Sequence, residues 1–317
     1  VDDDRTAGPA DVGRAGDREP EPRTGGRAAA LAAAYEGARP RLVRVAYAVL
    51  GSQVEAEDVV SECWLRLVTA DARDPVRDVD AWATVAVARA AMDALRSARR
   101  RRELYVGPWL PEPIVDAGPT GADPADRATL DDSVSYALLV VLETLTPAER
   151  TAWVLHDLFG LTFEEVAGTV GRTPAAVRQL AARARAHVNA RAPRVTVGAA
   201  EHSVAVTRFL EAAVGGDLTA LIGALDPAAV LTSDGGGQVS AARHPVYGAD
   251  NVARFLHGIA TMIKPGERVR IVNVNGAPGL GVVAGDELTT VVSLTLTADR
   301  ITRVDIIRAP AKLRRLS

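Results

Sequence analysis

The chain has 317 residues, is 48% hydrophobic and carries 37 Lys+Arg against 40 Asp+Glu, a net charge of −3. That length supports a sizeable core and two or three domains, while bulk charge marks neither a nucleic-acid binder nor a membrane-surface protein. The one cysteine, Cys63, excludes an intramolecular disulfide and a cysteine-rich zinc site, no run approaches the ~18 apolar residues of a membrane span, and Asp2-Asp3-Asp4 reverses the basic start of a signal peptide, so a cytoplasmic protein is expected.

Residues 1–27 hold Asp, Glu, Arg, Gly and Pro with almost no large apolar side chain, the composition of a disordered tail. From 28 to 102 the pattern is helical. Ala56, Val59, Val60, Cys63 and Leu67 recur at the spacing of a buried stripe. Asp58, Glu62 and Leu65 share a different, outward face of that helix. Two acids and an exposed leucine suit a basic partner helix, although spacing alone favours a plain solvated face. A further helix is expected over 80–102, capped by Asp80, with Trp82, Val85 and Met92 on its core side. It ends in Arg96, Arg99, Arg100, Arg101 and Arg102, five arginines in seven residues. Complementing the helix dipole needs fewer, so Arg96, Arg99 and Arg100 are candidates for tracking phosphates. Lys264 and Lys312 are the only lysines. The clusters are therefore built from planar guanidinium groups suited to bidentate contacts.

Residues 103–130 contain five prolines and three glycines and read as a tether. Seven acids and one base fall between 103 and 132, which a solvated segment explains. Trp109 and Leu110 are the exception, since a free tether does not favour them.

A second helical block spans 131–192. Thr146-Pro147-Ala148-Glu149 and Thr162-Phe163-Glu164-Glu165 are two capping boxes, each opening a helix. Gly171-Arg172-Thr173 is a tight turn before a third helix that starts at Pro174. Two helices joined by a three-residue glycine turn form a helix-turn-helix. In the last helix Val177, Leu180/Ala181, Ala184 and Val188 recur at core spacing, while Arg178, Gln179, Arg183 and Arg185 lie elsewhere. With Thr173 at the turn, these are the candidate DNA contacts, because Arg reads guanine bidentately and Gln can read adenine.

Beyond Pro193 the character changes to α+β. Helical segments near 203–225 and 249–263 precede β-rich runs at 269–274, 280–283, 288–296 and 301–307. Asp234-Gly235-Gly236-Gly237-Gln238 permits a close backbone approach but lacks the Lys-Ser/Thr of a phosphate loop. Asp234, His244 and His257 are the polar groups that a proton-abstracting enzyme would use, and nothing in their spacing brings them together.

Arg41-Leu-Val-Arg-Val-Ala-Tyr-Ala-Val-Leu-Gly-Ser52, Ala56-Glu-Asp-Val-Val-Ser-Glu-Cys-Trp-Leu-Arg66 and Met92-Asp-Ala-Leu-Arg-Ser-Ala-Arg99 resemble region 2 of extracytoplasmic-function sigma factors. Leu142-Glu-Thr-Leu-Thr-Pro-Ala-Glu-Arg150 through Arg178-Gln-Leu-Ala-Ala-Arg-Ala-Arg185 resembles their region 4. Tyr105-Val-Gly-Pro-Trp-Leu-Pro-Glu-Pro113 and the trailing module resemble the sigma-factor group with a C-terminal SnoaL-like extension, a curved sheet wrapped by helices around an apolar pocket. The expected protein is therefore multidomain: two all-α sigma modules and, over 203–317, an α+β SnoaL-like cone.

The resemblance implies two partners, core RNA polymerase and promoter DNA. Asp58, Glu62 and Leu65 would dock on the clamp of the largest subunit, and region 4 would also meet a polymerase surface near the −35 element. The Arg96–Arg102 end would handle the melted −10 element, and the last helix of region 4 would read the −35 duplex. The acidic linker would thread the polymerase cleft. It also links two loops to control of activity, Asp234–Gln238 (where the group usually has Lys at the last position) and Asn275-Gly-Ala-Pro278, each of which reads equally as a tight hairpin. Trp109 and Leu110 are expected to dock on the terminal module. No catalysis, metal, cofactor or membrane contact is expected. The rival readings are a one-component helix-turn-helix regulator and a SnoaL-like cyclase with a DNA-binding appendage; neither needs the 41–102 block.

Overall fold

The computed structural model describes residues 24–102, 105–116, 134–191 and 198–314. The expected tail therefore lies largely outside the described residues, as does the tether apart from 105–116. Residues 24–27 are already helical.

Three long helices open the fold: α1 (Thr24–Leu50), α2 (Gln53–Arg73) and α3 (Val79–Arg102). The stripe read from periodicity is the buried stripe of α2, namely Ala56, Val59, Val60, Cys63 and Leu67. Burial pushes the Cys63 thiol up to about 11, so it packs as a small apolar group. The cap of α3 differs from expectation. Asp78 accepts the Ala81 N–H at 2.9 Å, and Asp80 sits in the first turn. The core stripe of α3 is also displaced, running through Ala83, Val87, Ala88, Ala91, Met92 and Leu95, with Trp82 and Val85 half-buried.

The second block comprises α4 (Tyr136–Leu142), α5 (Pro147–Trp153) continued by a π-helical turn (Val154–Leu158), α6 (Phe163–Val170) and α7 (Pro174–Arg191). Both capping boxes form, with Thr146 and Thr162 each paired to the glutamate three residues on. Gly171 ends α6 at φ +68°, a left-handed conformation that glycine adopts without a Cβ penalty. The two helical blocks share apolar cores. Val45, Ala88 and Met92 of the first pack with Leu155, Leu161, Val166, Val170 and Val177 of the second.

The terminal module starts with α8 (Ala199–Gly215) and α9 (Leu218–Ala224), separated by Gly216 at φ +71° and capped by Asp217. Its strands are β2 (Leu225–Asp234), β3 (Val246–Tyr247), β4 (Glu267–Val274), β5 (Ala277–Ala284), β6 (Glu287–Thr297) and β7 (Arg300–Ile307), with α10 (Ala249–Ala260) and α11 (Pro310–Leu313). The sheet is open and mixed, in the order β4-β5-β6-β7-β2-β3, with only β2 and β7 parallel. A seventh strand comes from the tether: β1 (Val115–Asp116) pairs with β4 through Val115↔Val274 and Asp116↔Asn273. One face of the sheet carries Leu231, Leu280, Val292, Leu294, Val304 and Ile306 against Phe209, Leu221 and Val252 of the helices. The other face carries Val272, Val274, Val291 and Ile307, and is covered by Leu110, Tyr136 and Leu313.

Candidate nucleic-acid interface and linker junction

The outward residues of α2 form the surface that spacing placed there. Asp58 and Glu62 are exposed, Leu65 is 66% exposed and Val68 42%. Glu62 is held to Arg66 at 2.7 Å, an i,i+4 pair too exposed to contribute much stability.

On α7, Val177, Ala181, Ala184 and Val188 are buried and hold the helix against its block. Thr173, Arg178, Gln179, Arg183 and Arg185 are all exposed. Each of the three arginines rests on an acid. Arg178 reaches Glu164 at 3.4 Å and lies over the Phe163 ring at 5.2 Å. Arg183 reaches Glu149 at 3.1 Å, and Arg185 reaches Asp157 through Nε at 2.6 Å. These side chains are about half exposed or more, so water screens the pairs and a polyanion can displace the acids.

The arginine-rich end of α3 divides. Arg96 and Arg100 are exposed, Arg96 beside Asp93 at 3.0 Å. Arg99 is not available in this arrangement: it donates to the carbonyls of Glu143 and Leu145 after α4. Arg102 is turned inward, bonded to Glu143 at 2.6 Å and to the Leu50 carbonyl at 3.1 Å. Glu143 also binds Arg150, which is 1% exposed and donates to the Ala48 carbonyl at 3.0 Å. Arg102, Glu143 and Arg150 thus tie the two helical blocks together.

Trp109 and Leu110 of the tether lie against the terminal module. Arg102 stands over the Trp109 ring at 3.2 Å and Lys312 at 4.0 Å, a cation on each count where the indole offers its electron-rich face. Leu110 is buried and its N–H donates to Asp234 Oδ2 at 2.8 Å. Asp234, fully buried, also accepts the Tyr105 hydroxyl at 2.5 Å, the Gly236 N–H at 2.9 Å and Lys312 Nζ at 2.6 Å. Burial and then the Asp234 carboxylate raise the Tyr105 phenol above its usual range. Lys312, lowered by burial against the opposing pull of Asp234, was not read as a contact from sequence.

The glycines are explained by this seam. Gly236 and Gly237 sit at φ +68° and +69°, where a Cβ would meet Ala309 at 3.1 Å and Val106 at 3.4 Å. Gly235 is buried beside them. Gln238 takes no part, since it is exposed and its side chain makes no hydrogen bond among the described residues. Lys312 supplies the cation against Asp234 instead.

Asn275, at φ 49°, and Gly276, at φ 81°, form the tight β4–β5 hairpin. The buried Asn275 side chain also leaves the hairpin: its Oδ1 accepts the Ile114 N–H at 3.0 Å, and its Nδ2 donates to the Tyr47 hydroxyl at 2.9 Å and to the Val134 carbonyl at 3.3 Å. Pro278 lies opposite Asn273 in the β4–β5 register.

The candidate proton-abstracting set does not assemble. His244 is exposed, His257 is half-buried on α10 beside Gly216, and neither hydrogen-bonds Asp234. Among the described residues no cluster of His, Cys, Asp and Glu is arranged to hold a metal, and no helix is long and apolar enough to cross a membrane.

Comparison with known proteins agrees with this architecture. Residues 34–101 match the model of Sigma-70 region 2, and residues 135–188 match that of Sigma-70 region 4. The chain is 41% identical over 234 residues to the ECF RNA polymerase sigma factor SigJ of Mycobacterium tuberculosis, covering 73% of this chain and 74% of SigJ. It is 35% identical over 292 residues to the probable ECF sigma factor SigI of the same species, covering 89% and 94%. The crystal structure of M. tuberculosis SigJ superimposes with a TM-score of 0.72 at 32% identity, covering 89% of this chain and 98% of that one. The chain belongs to the extracytoplasmic-function RNA polymerase sigma factors that carry a C-terminal SnoaL-like extension, and is an alternative sigma factor that directs transcription.

Proposed function

We propose that residues 28–102 and 131–192 initiate transcription, and that residues 203–317 restrain them through the tether. The Asp58, Glu62 and Leu65 face of α2 docks on the clamp of the polymerase largest subunit, and region 4 docks where it can reach the −35 element. Thr173, Arg178, Gln179, Arg183 and Arg185 engage that element, and Arg96, Arg99 and Arg100 engage the −10 element, Arg99 once opening of the two blocks frees it from the Glu143 and Leu145 carbonyls.

The observation that carries the restraint is the shared core. By their positions the two promoter elements lie on the order of 20 base pairs apart, which at ~3.4 Å per base pair is roughly 70 Å of duplex. Two blocks that bury Val45, Ala88 and Met92 against Leu155, Val166 and Val177 are in direct contact and do not span that distance. The compact form must open, and the terminal module grips it through Asp234 at Leu110 and Asn275 at Ile114. Such a grip shifts the equilibrium only if it is weaker in the open form, and Asn275 supports this by bonding Tyr47 of the first block and Val134 at the start of the second at once.

No chemistry is assigned to the terminal module, because its candidate acid–base groups stay apart, and the protein acts in the cytoplasm beside the polymerase. Reconstitution with core RNA polymerase and promoter fragments tests the reading. Promoter-specific transcripts dependent on this chain are expected, and the absence of both transcripts and core binding would refute it.

A further inference from the structure

The segment 110–114 has an alternating hydrogen-bond pattern that its sequence dictates. Pro111 and Pro113 carry no N–H, so the only donors are those of Leu110, Glu112 and Ile114. Leu110 and Ile114 donate to the terminal module, at Asp234 Oδ2 (2.8 Å) and Asn275 Oδ1 (3.0 Å). Glu112, between them, donates the other way, to the Gly51 carbonyl at 2.8 Å, while its own carbonyl accepts the Tyr47 hydroxyl at 2.7 Å. The side chain of Glu112, 5% exposed, then covers the start of α2.

An α-helix leaves its first N–H groups without intrahelical partners. In α2, Ser52 is the N-cap, and its side-chain oxygen accepts the Glu55 N–H at 3.3 Å. The Gln53 and Val54 N–H groups go to Glu112 Oε2, at 2.9 and 3.4 Å, and Ser52 Oγ donates to the same oxygen at 2.8 Å. A carboxylate 58 residues along the chain from Val54 thus completes the cap and places negative charge on the positive end of the helix dipole. Asp58, Glu62 and Leu65 begin one turn further along that helix.

We propose that Glu112 is a positioning residue for polymerase docking: it orders the first turn of α2, and it does so only while Asp234 and Asn275 hold the strap on either side of it. This rests on the reading of α2 as the polymerase-docking helix. The terminal module therefore acts on docking as well as on opening, through one extended segment with a different contact on each side.

The test measures two quantities on the full chain: amide hydrogen exchange at Gln53–Glu55, and affinity for core RNA polymerase by titration. Glu112→Ala is expected to speed exchange in that turn with the rest of α2 unchanged, and to weaken core binding at least fivefold. Glu112→Gln keeps an oxygen for the two amides and is expected to stay within about twofold of the parent chain. Asp234→Asn, which loosens the strap without touching α2, is expected to speed exchange at the same three amides; if Glu112→Ala does not fold, Glu112→Asp, one methylene too short for its carboxylate to cap the turn, replaces it in both measurements. Unchanged exchange removes the cap. Faster exchange with unchanged or tighter core binding removes the positioning role, as does a Gln variant that keeps its protection and loses affinity. A parent chain that fails to bind core polymerase defeats the reading of α2 itself, a result distinct from equal binding by parent and variant.

Discussion

Asn275 Nδ2 and the Tyr47 hydroxyl, 228 residues apart in sequence, are joined by a 2.9 Å hydrogen bond, and Tyr47 passes the connection to the Glu112 carbonyl at 2.7 Å. A hairpin turn of the terminal module, α1 and the tether therefore meet at one buried point. Removing Asn275 takes the acceptor from the Ile114 N–H and a donor from the Val134 carbonyl, and breaks the link to Tyr47. Asn275→Ala is expected to cost on the order of 2–3 kcal/mol, the usual scale for stranding buried polar groups, with some further strain at a positive φ. Thermal unfolding measures the cost, and limited proteolysis within 105–116 should become faster.

The docking face of α2 is tested by charge. Reversing both Asp58 and Glu62 to Arg should weaken core polymerase binding by tenfold or more, about 1.4 kcal/mol, while far-UV circular dichroism stays unchanged because both residues are exposed. Equal binding would move the contact to another face.

Arg178 is the candidate for base reading on α7. Arg178→Ala should cost about 1–3 kcal/mol at the preferred −35 sequence and relax selectivity there, as loss of a bidentate base contact does. If binding weakens equally for all sequences and the salt dependence becomes shallower, Arg178 contacts phosphate instead.

Asp305 gives a pH dependence. It is fully buried and raised above 3.8 by that burial, against the opposing Arg303 at 2.7 Å, and its Oδ1 has no hydrogen-bond partner among the described residues. Glu112 is raised by burial too, against the bonds from Ser52 and the α2 amides. A carboxyl with a raised folded pKa binds its proton more tightly in the native state. Its contribution is therefore most favourable below the unfolded pKa and declines as pH rises through the folded value. Asp305→Asn removes the Asp305 part of that decline, so unfolding temperatures at about pH 3, below the unfolded value, and at about pH 8 should lie closer together than in the parent chain.

Legibility in the sequence followed the range of the interactions. The α2 stripe, both capping boxes and the core face of α7 are set by neighbours within one or two turns, and periodicity placed them correctly. Strands β4 to β7 announced themselves by β-branched runs. Strand β2 did not, because its first half reads Asp-Pro-Ala-Ala and a register shift between Leu225 and Val230 breaks the alternation. Glu112 reads as one of several solvated acids, and Lys312 only as one of two lysines. Their partners lie 58 to 60 and 78 residues away, a distance over which spacing says nothing. Asn275 was legible as a turn, and its second role depends on a helix more than two hundred residues earlier.

The most direct test of the restraint is single-round transcription from a cognate promoter, with core polymerase saturated by either the full chain or its Lys312→Ala variant. Lys312 binds Asp234 at 2.6 Å and covers Trp109 at 4.0 Å, so its loss loosens the seam without touching either promoter-facing surface. The account predicts more transcript from the variant, with Trp109→Ala giving part of the same increase. Equal transcript at equal concentration, with core affinity unchanged, would contradict it.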